Sequence, residues 1–260
     1  MKIKSKNKEL KLSILLPVRN EGINIELMLK ILEAVLEIPH EILIIYDDKK
    51  DETLTVIEKI RRNYSTIKPV FNPYGRGIIN AIKAGVEKSK GQYILLLAVD
   101  DVGPTLAIDD MVKLMDKGCD LVSCTRYKHG GRRLGGSTIE AIFSKTGNRL
   151  FSAMCGSSFS DSTTGFKMFK KDLLEKITLE SKPIGWAVVF EIAVKAQAVG
   201  LKLGEVPIIS IDRLYGGKPS FILSSWFWEY LRWFIYGIRN FARLRTNRKI
   251  RIRIPKTSSF

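Results

Sequence analysis

Glu41-Ile-Leu-Ile-Ile-Tyr46 runs straight into Asp47-Asp48, and Tyr93-Ile-Leu-Leu-Leu-Ala-Val99 runs straight into Asp100-Asp101. Each is a near-continuous apolar run, the pattern of a parallel strand buried on both faces. In open α/β sheets, ligands bind beyond the carboxyl ends of the strands. Two acidic strand ends are therefore expected to open onto one crevice. Carboxylates gathered there repel one another unless a cation or ligand donors offset them. A divalent metal carrying a diphosphate would do so, which points to a ligand of the nucleotide-sugar kind.

The surrounding sequence repeats the alternation. Leu12 to Pro17 predicts a strand, and Asn24 to Leu36 a helix with Ile25, Met28, Leu29, Leu32 and Leu36 on one face. A helix over Thr53 to Arg62, a short strand over Ile67 to Phe71 and a helix over Ile78 to Ser89 follow. Beyond the second acidic strand come a helix over Leu106 to Lys117 and a strand over Asp120 to Thr125. Strands spaced by helices mean βαβ units and a mostly parallel sheet, the α/β class. The pattern then changes. His129 to Ser137 is a loop dense in Gly and Arg, and Ile139 to Met154 is an amphipathic helix. Ser157 to Gly165 is small and polar, as flexible loops are, and Phe166 to Phe169 could return to the sheet. Pro183 to Val199 predicts a helix carrying Glu191 amid apolar residues, Lys202 to Asp212 is strand-like, and Phe221 to Arg243 is a long aromatic-rich helix.

At 260 residues, 45% of them apolar, the chain can bury a proper core. Its formal charge is +16, and the stretch from Arg239 to Phe260 holds eight Lys or Arg and no acid. A basic tail suits a solvated end, an anionic membrane or nucleic acid. Cys119, Cys124 and Cys155 form no CxxC pair. Cys119 and Cys124 lie five apart on a predicted strand and are expected on opposite faces, as reduced core thiols of a cytoplasmic protein. Met1 to Leu10 lacks the apolar core of a signal peptide. No uninterrupted apolar run approaches the ~20 residues of a bilayer span.

Three loops carry the chemistry. Leu12-Ser-Ile-Leu-Leu-Pro-Val-Arg-Asn-Glu-Gly22 ends in side chains able to grip a base and ribose, or is a mere turn. Asp47 to Thr53 is acidic. Asp47 at the strand tip is the better ligand-binding candidate, and Asp51-Glu52 equally suit the dipole of the following helix. Gly75, Arg76 and Gly77 open a helix, where glycine permits close backbone approach and the N-terminus suits phosphate. In order, the chain reads Leu-Pro-Val-Arg-Asn-Glu at 16–21, Tyr-Asp-Asp at 46–48, Gly-Arg-Gly at 75–77 and Ala-Val-Asp at 98–100. It continues with Thr-Arg-Tyr at 125–127, Asp-Ser-Thr-Thr-Gly-Phe-Lys at 161–167, Glu-Val-Pro at 205–207 and Asp-Arg-Leu-Tyr-Gly at 212–216. The series resembles the family 2 glycosyltransferases of GT-A fold, in the branch of the dolichyl- and polyprenyl-phosphate mannose synthases, over roughly Leu12 to Phe221.

That resemblance implies that Pro17, Arg19, Glu21 and Asp47 hold the nucleoside. Asp100 stands at the second acidic position of the metal-binding Asp-x-Asp triplet, as the ligand for Mg²⁺ or Mn²⁺. Ala98 occupies the first position and Val102 a further one that is often polar, so the metal would have fewer protein ligands. Arg126 and Ser144 fall where the branch contacts the lipid phosphate. Glu140 replaces a further arginine there, for which Arg132 and Arg133 could compensate. Arg213 matches a diphosphate-contacting arginine, with Lys218 in the same stretch. Asp161 and Glu191 match acidic positions, either of which could be structural. The implied organisation is a basic extension (1–11), a GT-A domain (12–220), an aromatic membrane-associating helix (221–245) and a basic tail (246–260).

The expected activity is inverting transfer of a hexose from a GDP- or UDP-sugar to a polyprenyl phosphate. It would take place on the inner, cytoplasmic face of the membrane, with the protein peripheral. Transfer to a sugar hydroxyl would instead need a carboxylate base, with Asp161 the first candidate. A catalytically weak scaffold or nucleic-acid binder is the reading from another class. Against nucleic acid, the aromatics cluster with Leu and Ile on a helix and not on a basic strand platform. The partners expected are the nucleotide sugar, a lipid-linked acceptor and an anionic membrane surface. A membrane-anchored protein or a second copy of the chain completes them.

Overall fold

The computed structural model describes residues 9–135, 138–211 and 223–255. In chain order the elements are β1 (Leu12–Pro17), α1 (Gly22–Val35), β2 (His40–Tyr46), α2 (Thr53–Ile60), β3 (Ile67–Phe71), α3 (Ile78–Lys88) and β4 (Tyr93–Leu96). A short 3-10 turn (Gly103–Ala107) leads into α4 (Ile108–Asp116), β5 (Leu121–Thr125), β6 (Arg132–Leu134), α5 (Thr138–Cys155) and β7 (Lys167–Lys170). Then come α6 (Leu173–Lys176), α7 (Ala187–Ala198), β8 (Leu203–Pro207), β9 (Ile209–Ile211), α8 (Leu223–Arg239), α9 (Phe241–Thr246) and β10 (Ile250–Ile252).

Eight strands form one sheet in the order β10-β8-β5-β7-β4-β1-β2-β3. Every pairing is parallel except those of β7, which runs antiparallel between β4 and β5. The chain leaves β1 for β2 and β3 on one side, then returns to β4 on the other. This reversal is a topological switch point, the place where an open α/β sheet forms its crevice. The acidic ends of β2 and β4 therefore flank β1, as the apolar runs predict.

Burial on both faces explains those runs. Ile14, Leu16, Ile42, Ile44 and Leu95 pack under α1, α2 and α4, while Leu15, Leu43, Ile45, Ile94 and Leu96 pack under α3 and α7. Every residue of α7 is buried. Its Val188, Val189, Ile192 and Ala193 meet the sheet. Ala187, Phe190, Val194 and Ala198 meet a second core built from Phe151, Cys155, Trp233 and Leu244. That core binds α5, α8 and α9 to the sheet through α7.

Several expectations are corrected. The loop expected over His129 to Ser137 contains β6, which pairs parallel with β9. Ser157 to Gly165 is no loose loop: Ser157, Asp161, Ser162 and Thr164 are buried, because their small polar side chains bond internally. Cys119 and Cys124 share one core cluster. Cys119 lies in the turn before β5, so strand alternation does not govern it. The aromatic helix breaks at Asn240, and the tail returns to the sheet edge as β10, parallel to β8.

Candidate active site

At the end of β1 the chain crosses the switch point as Val18 to Gly22. The Val18 amide still donates to Ile45 O at 2.9 Å. Beyond it Asn20 adopts a left-handed φ of 56°, a conformation asparagine tolerates better than most residues. Asp51 holds it there. Its two carboxylate oxygens accept the Asn20 amide at 3.1 Å each, and one also accepts the Thr53 amide at 2.8 Å. Thr53 Oγ1 in turn accepts the Glu21 amide at 2.9 Å. Asp51 is thus a buried brace for the 19–21 loop, a role that the helix-dipole expectation missed. On this loop Arg19 reaches Asp47, with 2.7 Å between Nη1 and Oδ1. Asp47 is the more enclosed partner, its side chain 13% exposed against 43% for Arg19. Glu21 Oε2 accepts from Asn24 Nδ2 at 2.8 Å. Pro17 and Glu21 are partly buried, so the four expected nucleoside contacts gather at one end of the crevice.

The Gly75–Gly77 loop follows β3, the strand beside β2. Asn72 Nδ2 donates to Gly75 O at 2.8 Å and Asn80 Nδ2 to Tyr74 O at 2.9 Å. Both glycines have positive φ, 84° and 129°. A Cβ on Gly77 would stand 2.2 Å from Pro183 O, whereas one on Gly75 would meet nothing within 4 Å. The close approach expected toward a phosphate is, at Gly77, an approach to the protein's own chain. Arg76 between them is exposed.

Asp100 sits partly buried beyond the end of β4, and its neighbour Asp101 is tied to β9. Asp101 accepts Ser210 Oγ at 2.6 Å and the Ile211 amide at 2.9 Å. Burial raises its pKa, against the pull of those two bonds and of Arg126. Asp101 therefore anchors β9. Among the described residues, no group of three or more metal-ligating side chains forms. Asp100 is the carboxylate that the metal expectation places at the strand end. One carboxylate suits a hard cation that takes its remaining ligands from phosphate and water.

Arg126, at the end of β5, is clamped by Asp161. Its Nε lies 2.7 Å from Oδ2 and its Nη2 3.0 Å from Oδ1. Nη2 also donates to Thr163 Oγ1 at 3.1 Å and Ser144 Oγ at 3.4 Å. Asn148, one turn along α5 from Ser144, donates to Asp161 Oδ1 at 3.3 Å and Thr163 Oγ1 at 3.0 Å. Burial would raise the carboxyl pKa of Asp161, but the charge and hydrogen bonds of Arg126 outweigh it and the pKa is lowered. A carboxylate so paired is a weak proton acceptor. Asp161 braces Arg126 and is not placed as a base. Arg132 and Arg133 lie on β6, Arg132 exposed and Arg133 near enough to perturb the Tyr127 phenol. Glu191, fully buried, accepts the Glu180 and Ser181 amides at 2.6 and 2.9 Å and pairs with Lys195 at 2.7 Å. It shapes the α6-to-α7 connection that carries Pro183. Arg213, Lys218 and the Glu140 side chain lie outside the described residues.

Asn148 and Thr163 escape the sequence reading although a signal exists. Ser144 and Asn148 stand four apart and so share a face of α5, and Thr163 sits inside the motif that holds Asp161.

The model of glycosyl transferase family 2 matches residues 13–178. A dolichol-phosphate mannosyltransferase of Pyrococcus furiosus is 25% identical over 226 residues, covering 86% of this chain and 62% of that protein. An uncharacterized glycosyltransferase of Synechocystis is 26% identical over 171 residues, covering 65% of this chain and 52% of that one. The chain thus spans less than two thirds of either relative. Glucosyl-3-phosphoglycerate synthase from Mycobacterium tuberculosis, solved with Mn²⁺, UDP and glucosyl-3-phosphoglycerate, superposes with a TM-score of 0.66 at 16% identity. That match covers 88% of this chain and 80% of that one. The fold is therefore of the GT-A type, as the motif series implies.

Proposed function

The chain belongs to glycosyl transferase family 2, and from that premise we propose that it moves a hexose from a nucleotide-diphospho-sugar to a polyprenyl phosphate at the cytoplasmic membrane face, with inversion. The observation that carries the acceptor half is the two-sidedness of α5. One face presents Ser144 and Asn148 to Arg126 and Asp161. Another bears Ile142, Phe143, Leu150 and Met154, each at least half exposed, with Lys145 and Arg149 exposed beside them. A phosphate group at Arg126 would leave its hydrocarbon chain next to an apolar stripe, and basic residues alongside attract anionic lipid. Among the described residues no helix is long and apolar enough to cross a membrane, which agrees with attachment at the surface.

The chemistry suits the residues present. In an inverting displacement, one oxygen of the acceptor phosphate forms a bond to the anomeric carbon as the bond from that carbon to the nucleoside diphosphate breaks. The phosphate arrives anionic, so no proton need be removed. That agrees with a site whose buried carboxylate is already neutralised by Arg126. Arg19, Glu21 and Asp47 would orient the nucleoside, and Arg126 with Ser144 would hold the acceptor phosphate. Arg213 would meet the diphosphate. Asp100 would hold Mg²⁺ or Mn²⁺, which when bound supplies charge neutralisation to the departing diphosphate. The protein's main contribution is then positioning and electrostatics.

The test is a donor screen with labelled GDP- and UDP-sugars, offered polyprenyl phosphate in vesicles or a water-soluble sugar. Label passing into the organic phase in a form labile to mild acid is the expected result. Label passing only to the soluble sugar would overturn the acceptor assignment.

A further inference from the structure

Beneath Arg126 lies a layer of charge that the transfer reaction itself does not touch. Three neighbouring strands, β8, β5 and β7, hold Glu205, Ser123 and Lys167 in direct register. One pair nearer the start of β5, the same row is apolar, with Leu121, Leu203 and Phe169 aligned. The core thus switches from hydrocarbon to ions one layer below the crevice. Glu205 and Lys167 are almost completely buried. Lys167 donates to Ser123 Oγ at 2.9 Å. Its ammonium lies 5.7 Å from the Phe159 ring centroid.

Glu205 reaches the site by two routes. Its Oε1 accepts the Ser160 amide at 2.8 Å and the Asp161 amide at 3.4 Å, so it holds the backbone that carries the partner of Arg126. Its Oε2 lies 2.8 Å from Ser160 Oγ, which lies 2.6 Å from Thr125 Oγ1. Thr125 Oγ1 accepts the Tyr127 amide at 3.2 Å. A carboxylate only accepts and a hydroxyl has one proton to give. The chain therefore has one direction: Tyr127 amide to Thr125, Thr125 to Ser160, Ser160 to Glu205. Arg126 sits between two of its members, with Thr125 before it and Tyr127 after.

Burying such charges costs more than a packed apolar layer of the same volume would. A role in stability alone does not account for them. We propose that Glu205 is a positioning residue, holding Arg126 and Asp161 in place through Ser160 and Thr125. The functional half of this rests on Arg126 being the acceptor-phosphate group.

Glu205→Gln is the discriminating variant. Glutamine keeps an oxygen for the Ser160 amide but turns an NH2 donor on the Ser160 hydroxyl, so the negative charge is lost and the hydroxyl chain to Thr125 must reverse its direction. Two readouts are needed. The first is independent of activity: hydrogen exchange of the Arg126 Nε proton by NMR, assigned by its loss in Arg126→Ala. It is expected to accelerate at least about tenfold in Glu205→Gln, while core amides of β1 and β4 keep their protection. An unchanged Arg126 exchange rate overturns the proposal. So does acceleration matched by equal loss of protection throughout the core, which marks a purely structural role. Ser160→Ala, which cuts the hydroxyl route and spares the charge, is expected to shift exchange in the same direction if Glu205→Gln proves too unstable to measure.

The second readout is a double-mutant cycle on polyprenyl-phosphate use. Glu205→Gln alone is expected to lower kcat/KM for the acceptor about tenfold, with nucleoside diphosphate affinity within about twofold. In an Arg126→Ala background it is expected to add almost nothing. Full additivity overturns action through Arg126. If Arg126→Ala itself leaves acceptor use intact, the acceptor assignment fails, and the exchange measurement still decides whether Glu205 positions Arg126.

Discussion

Lys167 is the residue whose burial has the plainest consequence in solution. Enclosure lowers its pKa from 10.5 to about 8, with Asp161, Cys124 and Glu205 opposing the fall. Below about pH 8 the folded protein carries a buried ammonium. Between there and the ordinary lysine value the unfolded chain binds the proton and the folded one does not. Stability therefore rises with pH across that window, by at most about 1.4 kcal/mol per pH unit from this group. Lys167→Met lacks this contribution. The stability of the native protein minus that of the variant, measured by urea unfolding, is expected to rise from about pH 7.5 to 9.5, whatever its sign at the start. A flat difference would mean that the lysine titrates normally. Residues of this kind are hard to read from sequence, because what defines them is non-local. Lys167 looks like any strand lysine until β5 and β8 are placed beside it. Asp161 meets Arg126 across 35 residues and Asp51 meets Asn20 across 31. Asp47 and Asp100 are legible because each closes an apolar run whose direction in a parallel sheet is already implied.

Among the elements, legibility follows length and period. The first three strands and the helices between them are long enough for the alternation to show, and β4, four residues long, shows because the buried apolar run continues past it to Leu97. β6, β9 and β10 are three residues each, and β7, four residues long, runs against its neighbours. Short strands carry too little pattern to separate from loop, and only their partners define them. The glycine loop separates a local signal from a tertiary one. Gly75 and Gly77 look equivalent in the sequence, yet only Gly77 lies against another segment, the Pro183 carbonyl. Gly75→Ala incurs backbone strain of about 1 kcal/mol. Gly77→Ala incurs comparable strain plus displacement of the Pro183 turn, for about 3 kcal/mol or more. Equilibrium denaturation is expected to separate the two by about 2 kcal/mol. Equal losses would show that the turn yields freely. Because that turn is also tied to α7 and α8 through Glu191 and Ser181, Gly77→Ala should perturb donor binding as well as stability.

At the scale of the whole molecule, the proposed membrane attachment asks which surface would meet a bilayer. A net charge of +16 favours any anionic surface, so placement matters more than the total. The basic tail is the obvious candidate in the sequence, but part of it is committed elsewhere. Ile250–Ile252 pairs with β8, Arg251 bonds to Lys117 O, and Arg253 reaches Asp110 and the Glu205 carbonyl. The aromatic helix is divided in the same way. Trp233 is buried, while Phe227 and Trp228 stand exposed. The α5 stripe is exposed along its length, with Lys145 and Arg149 beside it. Each basic residue near an anionic bilayer contributes about 1 kcal/mol, fading with salt. Lys145→Gln with Arg149→Gln is therefore expected to weaken binding to phosphatidylserine vesicles about tenfold or more at low salt, and to leave weak binding to neutral vesicles unchanged. Truncation after Asn247 removes β10 and should lower the melting temperature by several degrees. Its vesicle binding, measured where the truncated chain is still folded, should fall less than that of the double variant. If truncation abolishes vesicle binding and the α5 variant binds normally, the tail is the anchor. The exposed stripe on α5 would then have to serve the acceptor chain alone.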